Sequence, residues 1–204
     1  MNESDERQLQ WLHGLWAAKG YVKRAEGDFL PELRIDGLDF EQFCRLPTSV
    51  HMKVTEARPR GQTPESKQTP RYCWADASPE AHESRRRFTR AGLSSWEFLV
   101  GYWEANGGVH EANGSIVLTF SQRVPDPVPP HFIKEFLGTG SIRRGYNGVY
   151  RLTVVSGKYR GKAVGLAERL RDSVVSMRRR EQLDRVITLR NRLASSGTSN
   201  TPPQ

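Results

Sequence analysis

Leu12-His13-Gly14-Leu15-Trp16-Ala17-Ala18-Lys19-Gly20 is matched, 87 residues later, by Leu99-Val100-Gly101-Tyr102-Trp103-Glu104-Ala105-Asn106-Gly107. Extending the alignment adds Val22/Val109, Ala25/Ala112 and Gly27/Gly114, so eight of sixteen positions are identical. A period this long implies two copies of a small fold, not a solenoid of short repeats. Each copy has a helical pattern. Residues 5–19 place Leu9, Leu12, Leu15 and Trp16 on one apolar side, with Ser4 or Asp5 as cap. The second copy offers Ser94 or Ser95 as cap and Trp96, Phe98, Leu99, Tyr102 and Trp103 as its apolar residues. Gly20 and Gly107 stand where a left-handed residue ends a helix. Gly14/Ala18 and Gly101/Ala105 are small pairs four apart, which share a helix face and let two backbones approach. The expectation is that the two helices pack on each other and join the halves at a pseudo-twofold axis.

Strand-like sequence follows each helix. In the second half, residues 115–123 alternate, with Ile116, Leu118 and Phe120 on one face and Thr119, Ser121 and Arg123 on the other. A proline-rich loop at 124–130 precedes a short helix at 131–137, ended by Gly138. Segments 141–144 and 149–155 read as a hairpin turned at Tyr146-Asn147-Gly148, whose Asn-Gly pair is a strong turn signal. Helices are expected at 162–175 and 179–193. The first half reads more briefly: strands near 20–26, 29–36, 50–56 and 71–76, helices at 38–45 and 79–90, and a polar loop at 58–70. The fold class is therefore α+β, in two α-β-β-α-β-β-α halves. The expected division is 1–94, 95–194 and a disordered tail at 195–204.

The charge is uneven. The chain of 204 residues carries a formal net charge of +8. Residues 1–94 hold 15 Lys and Arg against 14 Asp and Glu, whereas residues 95–204 hold 16 against 9. The second half thus supplies most of the positive field, which favours an anionic partner. Arginine far outnumbers lysine, and its planar fork suits phosphate, base edges and stacking. Cys44 and Cys73 lack metal-site or paired spacing and read as buried thiols of a reducing, intracellular compartment. His13, His51, His82, His110 and His131 are scattered without metal-ligand spacing. No apolar run approaches a membrane span, and the acidic start is unlike a targeting peptide. A monomer without membrane contact is the expected folding unit.

The paired motifs, each followed by strands, resemble the LAGLIDADG homing-endonuclease family in its single-chain, two-motif form. Both copies keep the Leu-x-Gly opening and the closing glycine, and Ala18 and Ala105 take the seventh motif position. Residues 138–144, Gly-Thr-Gly-Ser-Ile-Arg-Arg, lead into the hairpin much as in that family. The resemblance covers roughly residues 8–192. It implies two antiparallel sheets forming a saddle, and acids at the eighth motif position that hold divalent metals for phosphodiester hydrolysis. Here those positions are Lys19 and Asn106. An ammonium repels Mg²⁺, and an amide is a poor neutral substitute for a carboxylate. Glu104 is a residual acid whose counterpart in the first copy is Ala17. Lys19 has a second explanation, because a cation in a last helical turn favours the helix dipole. No catalytic residue, metal or cofactor is expected; Mg²⁺ belongs only to the alternative of an active DNA endonuclease.

The family's concave sheet face implies a nucleic-acid surface. Strand alternation assigns Thr119, Ser121, Arg123, Arg143, Arg151 and Thr153 to it, and Arg144 joins them as a candidate. In the first half the face would show Glu32, Arg34, Asp36, Lys53 and Thr55, of which Arg34 and Lys53 are candidate contacts. Its carboxylates oppose a phosphate backbone, so binding is expected to be asymmetric. Arg85-Arg86-Arg87 and Arg178-Arg179-Arg180 are further candidates for phosphate, although charged helix runs are usually solvated. The expected function is an inactive, homing-endonuclease-derived protein that binds structured RNA in preference to DNA. It would serve as a ribonucleoprotein component such as an organellar ribosomal protein, with other proteins as partners, or as an intron-splicing cofactor (maturase). A mitochondrial or chloroplast location follows from the resemblance alone.

Overall fold

The computed structural model describes residues 3–25, 28–33, 52–55, 71–74, 95–122, 128–146, 148–155 and 162–196. Its compact units divide after Ala105, so the second motif helix packs with the first unit.

In the first unit, helix α1 spans Glu3–Lys19 and helix α2 spans Trp96–Asn106. The expected cap of α2 is present: Ser95 Oγ accepts from the Phe98 amide at 3.1 Å. Trp11, Leu12, Leu15, Phe98, Leu99, Tyr102 and Trp103 are buried, and the Phe98 and Tyr102 rings lie 6.5 Å apart along α2. The two helices meet at the predicted glycines. A Cβ on Gly14 would run into the Phe98 carbonyl oxygen and lie 2.7 Å from Tyr102 N. One on Gly101 would run into the Trp11 carbonyl oxygen and lie 3.1 Å from Leu15 N. Because the obstructing atoms are main chain, no side-chain rotation relieves either clash. Ala18 and Ala105 are buried as well.

Strands β1 (Gly20–Ala25), β2 (Asp28–Leu33), β3 (Met52–Thr55) and β4 (Arg71–Trp74) form an antiparallel sheet ordered β1-β2-β4-β3. The helices expected at 38–45 and 79–90 and the loop at 58–70 lie outside the described residues.

The second unit repeats this topology. Strands β5 (Gly107–Ala112), β6 (Ser115–Gln122), β7 (Ser141–Arg144) and β8 (Tyr150–Val155) are ordered β5-β6-β8-β7. The internal repeat is kept in register: Gly20 pairs with Leu33 and Ala25 with Asp28, as Gly107 pairs with Phe120 and Ala112 with Ser115. The β5–β6 turn has positive φ at both Asn113 (52°) and Gly114 (76°), the backbone a tight two-residue hairpin needs. Gly107 opens β5 opposite Phe120 and is not among the left-handed residues, which corrects its expected role as a helix cap. A strand beginning directly at the helix end leaves no room for such a cap.

Helices α3 (Val128–Leu137), α4 (Lys162–Ser173) and α5 (Met177–Ser196) pack on this sheet. Gly138 (φ 61°) ends α3 as expected, donating its amide to the Glu135 carbonyl at 3.1 Å. Ile116, Leu118, Phe120, Leu152 and Val154 bury one sheet face, with Ile133, Ala163, Leu166, Leu170, Leu183 and Ile187 from the helices. Helix α5 starts earlier than expected because Ser176 caps it, its Oγ accepting from the Arg179 amide at 3.3 Å. It also runs on through Ser195 and Ser196, which the composition had placed in a disordered tail.

Candidate nucleic-acid interface

The sheet of the second unit has two unlike faces, and its register decides which residue lies on which. Cross-strand neighbours share a face. One row runs Arg143–Arg151–Ser121, and the next on the same face runs Ser141–Thr153–Thr119–Gly108. A third runs His110–Val117–Val155. Arg143, Ser141, Arg151 and His110 are exposed, and Ser121, Thr119 and Thr153 are partly so. The opposite rows, Ile142–Leu152–Phe120 and Val154–Leu118–Val109, lie on the face that contributes the core. The polar face therefore grades from two paired arginines, through a band of hydroxyls, to a row of two valines and the exposed His110. Such a surface offers charge-assisted donors to phosphate at one end and neutral donors and acceptors beside them. The Thr119 hydroxyl makes a long 3.4 Å hydrogen bond to the Gly108 carbonyl across the hairpin.

Five of the predicted residues thus fall together: Thr119, Ser121, Arg143, Arg151 and Thr153. Arg144 does not join them. It pairs with Tyr150, one residue out of phase with Arg143, and its guanidinium carbon lies 5.8 Å from the Tyr150 ring centroid. Strand alternation forbids adjacent residues from sharing a face. Ser141 and His110 belong to the polar face and were missed. Ser141 lies two residues from Arg143 along β7, so alternation alone places it there, whereas His110 is placed by its pairing with Val117, which is not visible along one strand. Arg123 and Arg34 lie outside the described residues. Lys53 pairs with Cys73, which pairs in turn with Glu32, so a carboxylate-bearing position shares the cross-strand row of Lys53.

The arginine run at 178–180 is mostly structural. Arg179 donates to Gln182 at 3.0 Å, and Arg180 donates to the Val174 carbonyl at 3.0 Å, tying α5 to the loop before it. Arg178 is exposed. The companion run at 85–87 lies outside the described residues.

The motif helices carry the other candidate chemistry. Lys19 is the last residue of α1 and Asn106 the last of α2. A protonated amine has no lone pair for a hard cation, and a single neutral amide oxygen is weak beside carboxylates. This donor set does not fit the divalent metals that the fold's motif helices are expected to hold. Among the described residues, no three His, Cys, Asp or Glu side chains cluster closely enough to hold a metal. Glu104 sits inside the helix pair, 7% exposed, and accepts a hydrogen bond from the Trp11 indole N–H. That bond ties the residual acid to the packing of α1 against α2. His13, the residue before the contact glycine Gly14, is 4% exposed, and burial pulls its pKa down to about 3. It is neutral at physiological pH.

No family model matches the chain, and no curated protein matches its sequence. Solved structures do match. The LAGLIDADG meganuclease I-AabMI bound to uncleaved DNA superimposes with a TM-score of 0.57 at 11% identity, over 94% of this chain and 93% of that one. The meganuclease I-SmaMI bound to uncleavable DNA gives 0.56 at 11% identity, over 92% and 90%. The I-LtrWI LAGLIDADG homing endonuclease bound to target DNA gives 0.52 at 11% identity, over 93% and 91%. Identity this low speaks to architecture. The chain has the fold of the two-motif LAGLIDADG homing endonucleases, as the paired helices and repeated sheets led one to expect.

Proposed function

We propose that this chain binds nucleic acid through the polar face of the β5–β8 sheet and does not cleave it. The observation that carries the reading is the register that sets Arg143 beside Arg151 and ranks hydroxyls behind them on one face. Loss of cleavage is supported by the donors available at the helix ends, Lys19 and Asn106, and by the engagement of Glu104 with Trp11. Structured RNA is the partner we favour, because arginine and hydroxyl groups suit recognition by phosphate, 2′-hydroxyl and shape. A ribonucleoprotein component, as in an organellar ribosome, and an intron-splicing cofactor are the roles consistent with such binding. The test is gel-shift or anisotropy titration of the purified chain with a structured RNA and a DNA duplex of equal length, in Mg²⁺. Tighter binding of RNA with both substrates left intact supports the proposal. No binding to either overturns it.

A second reading, an active DNA endonuclease, is favoured by the DNA complexes among the structural neighbours, I-AabMI and I-SmaMI. Incubation with randomised DNA duplex libraries in Mg²⁺ and Mn²⁺ separates the two. Specific double-strand cleavage, lost in Glu104→Gln, would establish the endonuclease.

A further inference from the structure

We infer that Tyr146, at the tip of the β7–β8 hairpin, is a stacking platform for an unpaired base of a structured RNA. This rests on the nucleic-acid reading above and adds a substrate feature to it.

The hairpin tip is closed by two main-chain bonds: Gly145 N donates to the Val149 carbonyl at 2.8 Å, and Gly148 N donates to the Gly145 carbonyl at 3.0 Å. Gly148 has φ 75°, the left-handed conformation that completes the turn. Neither of these bonds involves Tyr146. A tyrosine there is fully exposed, the most exposed large apolar residue among those described. It gains no burial from its own fold, so its ring is available to a ligand at no cost to packing.

Its surroundings select the ligand. Strand pairing ends at Arg144–Tyr150 just before the tip, and the preceding pair is Arg143–Arg151. Tyr146 is three residues beyond Arg143, about 10 Å along an extended chain. An aromatic ring with cations that close suits a nucleotide whose base stacks while neighbouring phosphates meet the arginines. A base inside a continuous duplex has both faces covered by its neighbours. A single ring on a turn can stack only on a base with a free face, in a loop, a bulge or at an end.

The experiment compares the intact chain and its Tyr146→Ala, Tyr146→Phe and Tyr146→Trp variants on two RNAs. One is a hairpin with an unpaired loop, the other a blunt, fully paired duplex whose ends are capped by covalent closure. Tyr146→Ala is expected to lose about 5- to 100-fold in affinity for the looped RNA and less than about 2-fold for the closed duplex. Tyr146→Phe and Tyr146→Trp are expected to bind the looped RNA as the native chain does, since the ring and not the hydroxyl is used. An unchanged Tyr146→Ala, an equal loss on both RNAs, or a Phe variant as weak as the Ala variant would each overturn the inference while leaving the nucleic-acid reading standing. Failure of the native chain to bind either RNA would overturn both.

Discussion

Burial of the His13 imidazole has a consequence for stability that can be read from its sign. The unfolded chain takes up a proton near pH 6.5, whereas the folded one resists protonation down to about 3. The unfolded state therefore binds more protons between these values, and stability present above pH 6.5 is lost as pH falls. The slope approaches about 1.4 kcal/mol per pH unit for one proton. Chemical denaturation at pH 5.0 and 7.0 should show native stability falling more steeply than that of His13→Gln, which carries no such group. Parallel profiles would mean that His13 charges in the folded state. The neighbouring hydrogen bond from Trp11 to Glu104 predicts a second effect. Trp11→Phe removes a donor from a buried carboxylate and should cost about 1–3 kcal/mol. Neither Trp11 nor Glu104 announces this pairing in the sequence, since 93 positions separate them. The repeat identified the helices, but it aligns Glu104 with Ala17 and gives no hint that its partner is an indole.

Between helices, the decisive contacts are the glycines. Even a methyl at Gly101 meets the Trp11 carbonyl oxygen, so Gly101→Ala should destabilise by roughly 1–3 kcal/mol, and Gly101→Leu by more. Thermal melts of both variants check this; a melting temperature equal to the native one would show that α1 and α2 do not meet there. The close approach was legible because small residues four apart recur in both copies. Strand β6 was legible too, through Ile116, Leu118 and Phe120. Strand β5 was not located by its own residues, because Gly107-Gly108-Val109-His110-Glu111-Ala112 holds a single β-branched side chain. Its pairing with β6 makes it a strand. Arg144 shows the same limit from the other side: a basic residue beside Arg143 looks like part of one cluster until alternation sends it to the other face. Alternation along the strands placed Thr119, Ser121, Arg143, Arg151 and Thr153 on one face; register added the order of their rows and brought in β5.

For the chain as a whole, the positive field is concentrated after residue 94, where 16 basic residues stand against 9 acidic. If Arg143 and Arg151 clamp phosphates, binding should weaken steeply with salt, with a log–log slope of about −0.9 for each phosphate neutralised on duplex DNA and a comparable slope on RNA. Arg143→Ala and Arg151→Ala should each lower the magnitude of that slope by about one unit. Arg144→Ala, across the sheet from them, should leave it unchanged. A salt-independent affinity would mean that the polar face is solvated surface only. The glycine contacts between α1 and α2 bear on the history of such a molecule. They are set by main chain pressing on main chain, well inside the helices, while Lys19 and Asn106 stand at the helix ends. The glycine contacts are made to Phe98, Tyr102, Trp11 and Leu15 and to neither of those end residues. A lineage on this architecture is thus free to abandon cutting in a few mutational steps and still inherit an intact scaffold for holding a strand.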